Sequence, residues 1–176
     1  MGLDCPHISQ KQLTNKFMKT NLTISEITHE DLVNLFSTSL YGSTYLEADY
    51  TNPNLKKAGD CFEDILAKNL LAGDCIVITD WYAEGEAYGN LFHIVDDEDE
   101  CVHYTVGLED IKRGLERAAN GTFTITTRLG EDYIRGEKES AKRSFNSFAD
   151  EGAVDFDLIR ADVLMQIILF DEIIYG

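Results

Sequence analysis

The sequence predicts one α+β domain, a small antiparallel sheet of three to four strands packed by about five helices. Three observations predict it. Apolar residues recur at helical spacing in five separate segments. Short runs rich in β-branched residues cluster in the middle of the chain, two of them joined by a tight turn rather than a crossover helix. The 176 residues, 44% of them hydrophobic, suffice for one core without metal or disulfide staples, because a chain of this length buries roughly two thirds of its unfolded surface.

Taken in order, residues 1–20 are polar and read as a loosely attached N-terminal segment, with 21–176 as the domain. Thr28 is placed to cap a helix whose apolar positions Leu32, Val33, Leu35, Phe36 and Leu40 form one stripe, stopped by Gly42. Ser43 to Asn54 reads as a tyrosine-rich loop. Asn54 then opens a helix carrying Leu55, Ala58, Phe62, Ile65, Leu66 and Leu70, ended by Gly73. Cys75-Ile-Val-Ile-Thr is a continuous β-type run, the pattern of a strand buried on both faces. Leu91–Val95 and Cys101–Val106 follow as strands of a hairpin, with Asp96, Asp97, Glu98, Asp99 and Glu100 as its acidic tip. Leu108–Ala119 is an amphipathic helix stopped by Asn120-Gly121. The β-branched run 122–127 is a fourth strand candidate. Glu131–Ala149 is a charged amphipathic helix, and 157–175 is apolar over so wide an arc that it belongs in the core or at a homodimer seam.

Charge sets this chain apart. Asp and Glu number 32 against 15 Lys and Arg, for a formal net charge of −17 and a pI near 4.4. Such a balance repels nucleic acid and anionic membranes and steers the chain toward basic surfaces. Between Glu84 and Glu100 lie seven acids and no lysine or arginine, and the stretch from Asp150 repeats the bias with Arg160 as its lone cation. By contrast 109–117 and 131–143 mix both signs, as solvated helix faces do. Asp80-Trp81-Tyr82-Ala83-Glu84-Gly85-Glu86-Ala87-Tyr88 sets the one tryptophan and two tyrosines among acids and glycines. Aromatics flanked by carboxylates suit an arginine-rich partner through cation–π contact and charge together. The candidate partner-binding set is therefore Trp81, Tyr82, Glu84, Glu86, Tyr88, Asp96, Asp97, Glu98, Asp99 and Glu100. The same acids also fit a merely solvated hairpin tip, and Trp81 also fits a side chain folded back over the core.

Catalytic and cofactor motifs are not found. The four cysteines form no CxxC pair, and Cys61 and Cys75 read as small core hydrophobes on a helix stripe and a buried strand. Cys5–His7 and Cys101–His103 are C-x-H pairs without the second ligand pair that zinc requires. An enzyme built on Cys101, His103 or His93 is the weaker alternative. The acidic turn lacks the calcium-loop pattern, and the glycines never assemble into a phosphate-binding loop. No metal or cofactor is expected. The opening MGLDCPHISQKQ lacks the basic start and apolar stretch of a secretory signal, and Pro6 breaks a myristoylation pattern. The expected setting is cytoplasmic, with free thiols.

Three stretches together, GDCIVITDWYAEGEAYGNL, YTVGLEDIKRGLERAANGTF and DFDLIRADVLMQIILFDEIIYG, resemble small acidic proteins carried by conjugative elements and prophages of gut Firmicutes. The resemblance covers about 55–125 and 155–176. Such elements encode counter-defence proteins, and in size, acidity and lack of catalytic signature this chain is similar to the anti-CRISPR inhibitors of Cas9. The resemblance implies a non-enzymatic bacterial cytoplasmic inhibitor whose partner is Cas9 with guide RNA; no inhibitor's contact motif transfers position by position. The alternative is an assembly or interaction protein of the mobile element, dimerising through 157–175.

Overall fold

At the start of the first helix, Thr28 and Asp31 form a reciprocal capping box. Thr28 Oγ1 accepts from the Asp31 N–H (3.1 Å) and Asp31 Oδ2 accepts from the Thr28 N–H (2.8 Å). The computed structural model describes residues 22–125, 131–150 and 156–175, so the 1–20 segment, the Cys5–His7 pair, Glu151 and Asp155 lie outside the described residues. The helices are α1 (His29–Tyr41), α2 (Phe62–Leu71), α3 (Leu108–Asn120), α4 (Glu131–Ala149) and α5 (Leu158–Phe170). The strands are β1 (Leu46–Tyr50), β2 (Ile76–Asp80), β3 (His93–Asp96) and β4 (Cys101–Val106). The chain is an α+β fold, with five α-helices and one four-stranded antiparallel sheet, in the order β1-β2-β4-β3, among the described residues.

Strand alternation sorts the sheet into two faces. Ile76, Ile78 and Asp80 of β2, and Val102, Tyr104 and Val106 of β4, are fully buried on the face that joins the helices. On the other face Val77, Thr79, His103 and Thr105 are half-buried, while Glu47, Asp49 and Ile94 are exposed. α5 packs against α1, α3 and α4. Its residues from Leu164 to Phe170 are at most 4% exposed, so its wide apolar arc is covered by its own chain and only Leu158 and Ile159 stand out of it. The α3–α5 crossing is close because Gly114 lacks a side chain. A Cβ there would sit 2.5 Å from Ile168 Cγ1 and 2.6 Å from its Cα.

Several boundaries differ from the sequence expectation. The fourth strand is β1, inside the segment expected to be a loop. Its alternation is short and its residues are weak strand formers, so pairing with β2 rather than local propensity makes it a strand. Residues 122–125 form no strand; Thr124 makes a single parallel bridge with Glu172, and 126–127 lie outside the described residues. Asn54 does not open a helix. Pro53–Leu55 is one 3₁₀ turn, Gly59 takes a left-handed φ of 92°, and α2 begins only after Cys61. Cys61 is thereby an exposed cap residue rather than a core one, and Cys75 is half-buried. The last helix stops at Asp171, whose φ of 57° closes it, and Ile173–Tyr175 turn back against the core.

Candidate functional site

The chain leaves β2 at Asp80, a carboxylate that is fully buried. Asp80 Oδ1 accepts from the Tyr82 N–H and Oδ2 from the Tyr175 O–H, both at 2.9 Å. Burial pushes its pKa up, and those two hydrogen bonds work against the shift by favouring the ionised form. Tyr175 reaches Asp80 because Gln166, itself fully buried, holds the chain end. Gln166 Oε1 accepts from the Ile174 and Tyr175 N–H groups (2.7 and 2.8 Å), and its Nε2 donates to Tyr175 O (2.8 Å) and Asp162 Oδ2 (2.7 Å). Tyr45 closes the network, donating to Asp162 Oδ1 at 2.5 Å. Burial, then the Asp162 bond, push the Tyr45 pKa up; burial and Asp80 do the same to Tyr175, and burial brings Tyr104 to about 12. These phenols stay protonated, with Tyr45 and Tyr175 as the donors. The rings of Tyr45, Tyr82, Tyr88, Tyr104, Phe170 and Tyr175 pack at centroid spacings of 4.8–6.5 Å, a rigid aromatic floor.

On this floor the loop after β2 presents its side chains unequally. Trp81 is 44% exposed and Tyr82 52%. The Trp81 indole donates to Glu47 Oε2 (3.1 Å), while Tyr82 stacks on Tyr45 at 5.5 Å. Tyr88 departs from the exposed-anchor expectation: it is half-buried, and its backbone N–H donates to the Tyr104 phenol oxygen at 2.8 Å. Glu84 and Glu86 are exposed. Gly89, with a φ of 73°, seats the loop on α5, where a Cβ would lie 2.6 Å from Phe170 O.

The loop and the acidic hairpin tip are tied together. The Gly85 N–H donates to Glu100 C=O at 3.1 Å, and Glu84, Gly85 and Glu100 all take left-handed φ values to allow it. Asp97, Glu98, Asp99 and Glu100 are exposed, and Asp96 is half-buried. Asp96 differs in role, since its Oδ1 accepts from the Glu98 and Asp99 N–H groups (3.0 and 3.2 Å) and so shapes the turn. The result is one cluster of acids, assembled from two segments, beside two exposed aromatic rings. No lysine or arginine lies in the chain between Lys68 and Lys112. Sequence reading missed Glu47, Tyr45, Asp162, Gln166 and Tyr175. The one usable signal was the alternation Leu46-Glu47-Ala48-Asp49-Tyr50, too short to stand out.

On the open sheet face Cys101 Sγ lies 3.6 Å from His103 Nε2, and His103 Nδ1 lies 2.8 Å from Thr79 Oγ1. Burial, then Asp96 and Asp99, push the Cys101 thiol pKa up, opposite to what a nucleophile needs. His93 pairs across from Tyr104 and so turns to the other face of the sheet. Among the described residues no group of three His, Cys, Asp or Glu side chains is placed to hold a metal ion, and no helix is long and apolar enough to cross a membrane. No protein-family model, curated protein or solved structure matches the chain.

Proposed function

We propose that the protein acts by binding, docking its acidic end onto the basic surface of a nucleic-acid-handling defence protein, with Cas9 loaded with guide RNA as the partner. The observation that carries the reading is the Gly85–Glu100 hydrogen bond. It joins Glu84 and Glu86 to the 97–100 turn, next to Trp81 and Tyr82, in a stretch of chain with no lysine or arginine between Lys68 and Lys112. Exposed like charges repel one another, and a basic partner relieves that repulsion. A guide-loaded nuclease holds its target in a positively charged channel and reads the flanking motif with arginines, a surface complementary to acids and π faces.

The test is capture of Cas9–guide RNA by tagged protein at about 50 and about 500 mM salt, since charge-driven docking weakens as the Debye length shrinks. Retention at low salt and loss at high salt is expected. The variant D97K/D99K/E100K, which spares the turn-shaping Asp96, should bind about a hundredfold more weakly with an unchanged circular dichroism spectrum. Absence of retention at both salts overturns Cas9 as the partner. Unchanged affinity of the triple variant overturns the acidic end as the docking surface.

A further inference from the structure

Among the described residues the sheet ends at β1, and its outer edge is open at its centre. Trp81 N–H donates to Tyr45 O at 2.9 Å, which makes Tyr45–Trp81 a hydrogen-bonded pair of the β1–β2 ladder. By antiparallel alternation Glu47 and Asp49 also bond inward, and the N–H and C=O of Leu46, Ala48 and Tyr50 point away from β2. Two of those three outward donors are met locally: Leu46 N–H by Ser43 Oγ (2.8 Å) and Tyr50 N–H by Asp49 Oδ1 (2.8 Å). Ala48, at the centre of the strand, has its donor and acceptor unmet among the described residues, and it lines a groove of about 610 Å³.

The groove lies between the end of α1 and the start of α2, with Tyr41 91% exposed and Phe62 40% exposed among its lining side chains. Its charged lining residues are Glu47, Asp49 and Glu63, all acidic. We infer that β1 is a strand-addition site for a basic, extended peptide segment of a partner protein. The added strand would exchange both backbone hydrogen bonds with Ala48 and set basic side chains opposite Glu47 and Asp49. The residue opposite Ala48 would be apolar and face the Tyr41–Phe62 side. Main-chain bonds of this kind supply affinity, and alternate side chains supply specificity.

A second copy of the chain does not fit the same edge. Antiparallel self-pairing centred on Ala48 places Glu47 opposite Asp49 twice, and like charges directly opposite destabilise a ladder. The inference does not rest on the acidic-hairpin reading, because it needs an extended segment at the β1 edge, which meets that site only at Glu47, the acceptor of the Trp81 indole.

The experiment uses the full chain and three fluorescein-labelled decapeptides of alternating lysine and valine. One is unmodified, one N-methylated at every valine and one N-methylated at every lysine. In an added strand the residue opposite Ala48 donates its N–H and its neighbours do not. The unmodified and lysine-methylated peptides should therefore bind in fluorescence anisotropy, and the valine-methylated one about tenfold or more weakly. Amide exchange at Ala48 should slow about tenfold or more on saturation. E47K/D49K should lose binding, while D97K/D99K/E100K keeps it. Equal binding of all three peptides would reduce the effect to bulk charge and overturn strand addition. Failure of the unmodified peptide to bind, or binding without protection of the Ala48 amide, would overturn it as well.

Discussion

On α3 and α4 acids have a cation one turn away. Lys112 Nζ lies 3.0 Å from Glu109 Oε1, Arg113 pairs with Asp110, and Lys142 Nζ lies 3.4 Å from Glu139 Oε1. From Glu84 through Glu100, by contrast, no lysine or arginine stands in the chain. The two regions also rest on different foundations. Beneath α3 lie close apolar packing, with Gly114 pressed on Ile168, and one ion pair, Arg117 with Asp171 at 2.8 Å. Beneath the acidic end lies a polar network through Asp80, Tyr175, Gln166, Asp162 and Tyr45. The contrast teaches that the acidic end takes its shape from neutral donors and stacked rings rather than from ion pairs. Its carboxylates are therefore left to face solvent or a partner.

Removing the key donor of that foundation gives the largest expected effect. Gln166→Ala leaves the Ile174 and Tyr175 N–H groups and an Asp162 oxygen without their partner. It should lower unfolding free energy by about 3 kcal/mol or more in chemical denaturation. Binding through Trp81 and Tyr82 should fall with it, because Tyr175 loses its seat under Asp80. Gly114→Ala acts on the other region. It overfills the α3–α5 crossing and should cost about 1–3 kcal/mol by the same measurement, while leaving partner affinity at the acidic end unchanged. Equal loss of affinity in both variants would erase the distinction between the regions.

The smallest effect is a change of slope with pH. Burial raises the folded pKa of Asp80 above its ordinary 3.8. Between those two values the folded chain binds more protons than the unfolded one. Stability therefore rises as pH falls through the folded pKa, and the gain is complete below the unfolded value. Above the folded pKa the ionised, desolvated carboxylate is a net cost. Asp80→Asn should shrink the gain in denaturation midpoint between neutral pH and about pH 4, relative to the parent chain. An identical slope in both proteins would show that Asp80 is not a distinct source of it.

Local chemistry by itself determined much of this molecule. The Thr28 cap, the Gly121 stop, the β-branched run of β2 and the acidic turn between β3 and β4 all carry their signals within a few residues, and each lies where those signals put it. The two acidic segments were also legible, as a run without cations. What only the tertiary structure decided depends on residues far apart in the chain. β1 is a strand because β2 lies beside it, and Thr122–Ile125 is not one because its β pairing is a single bridge, Thr124 with Glu172. α5 halts at Asp171 so that Tyr175 can reach Asp80, 95 residues away. Tyr88 turns inward while Trp81 and Tyr82 stay out, because the Tyr104 hydroxyl is placed to accept the Tyr88 N–H. The physical reason is common to all of these. A buried polar group must find a partner wherever the fold supplies one, and which distant residue supplies it is not written in local spacing.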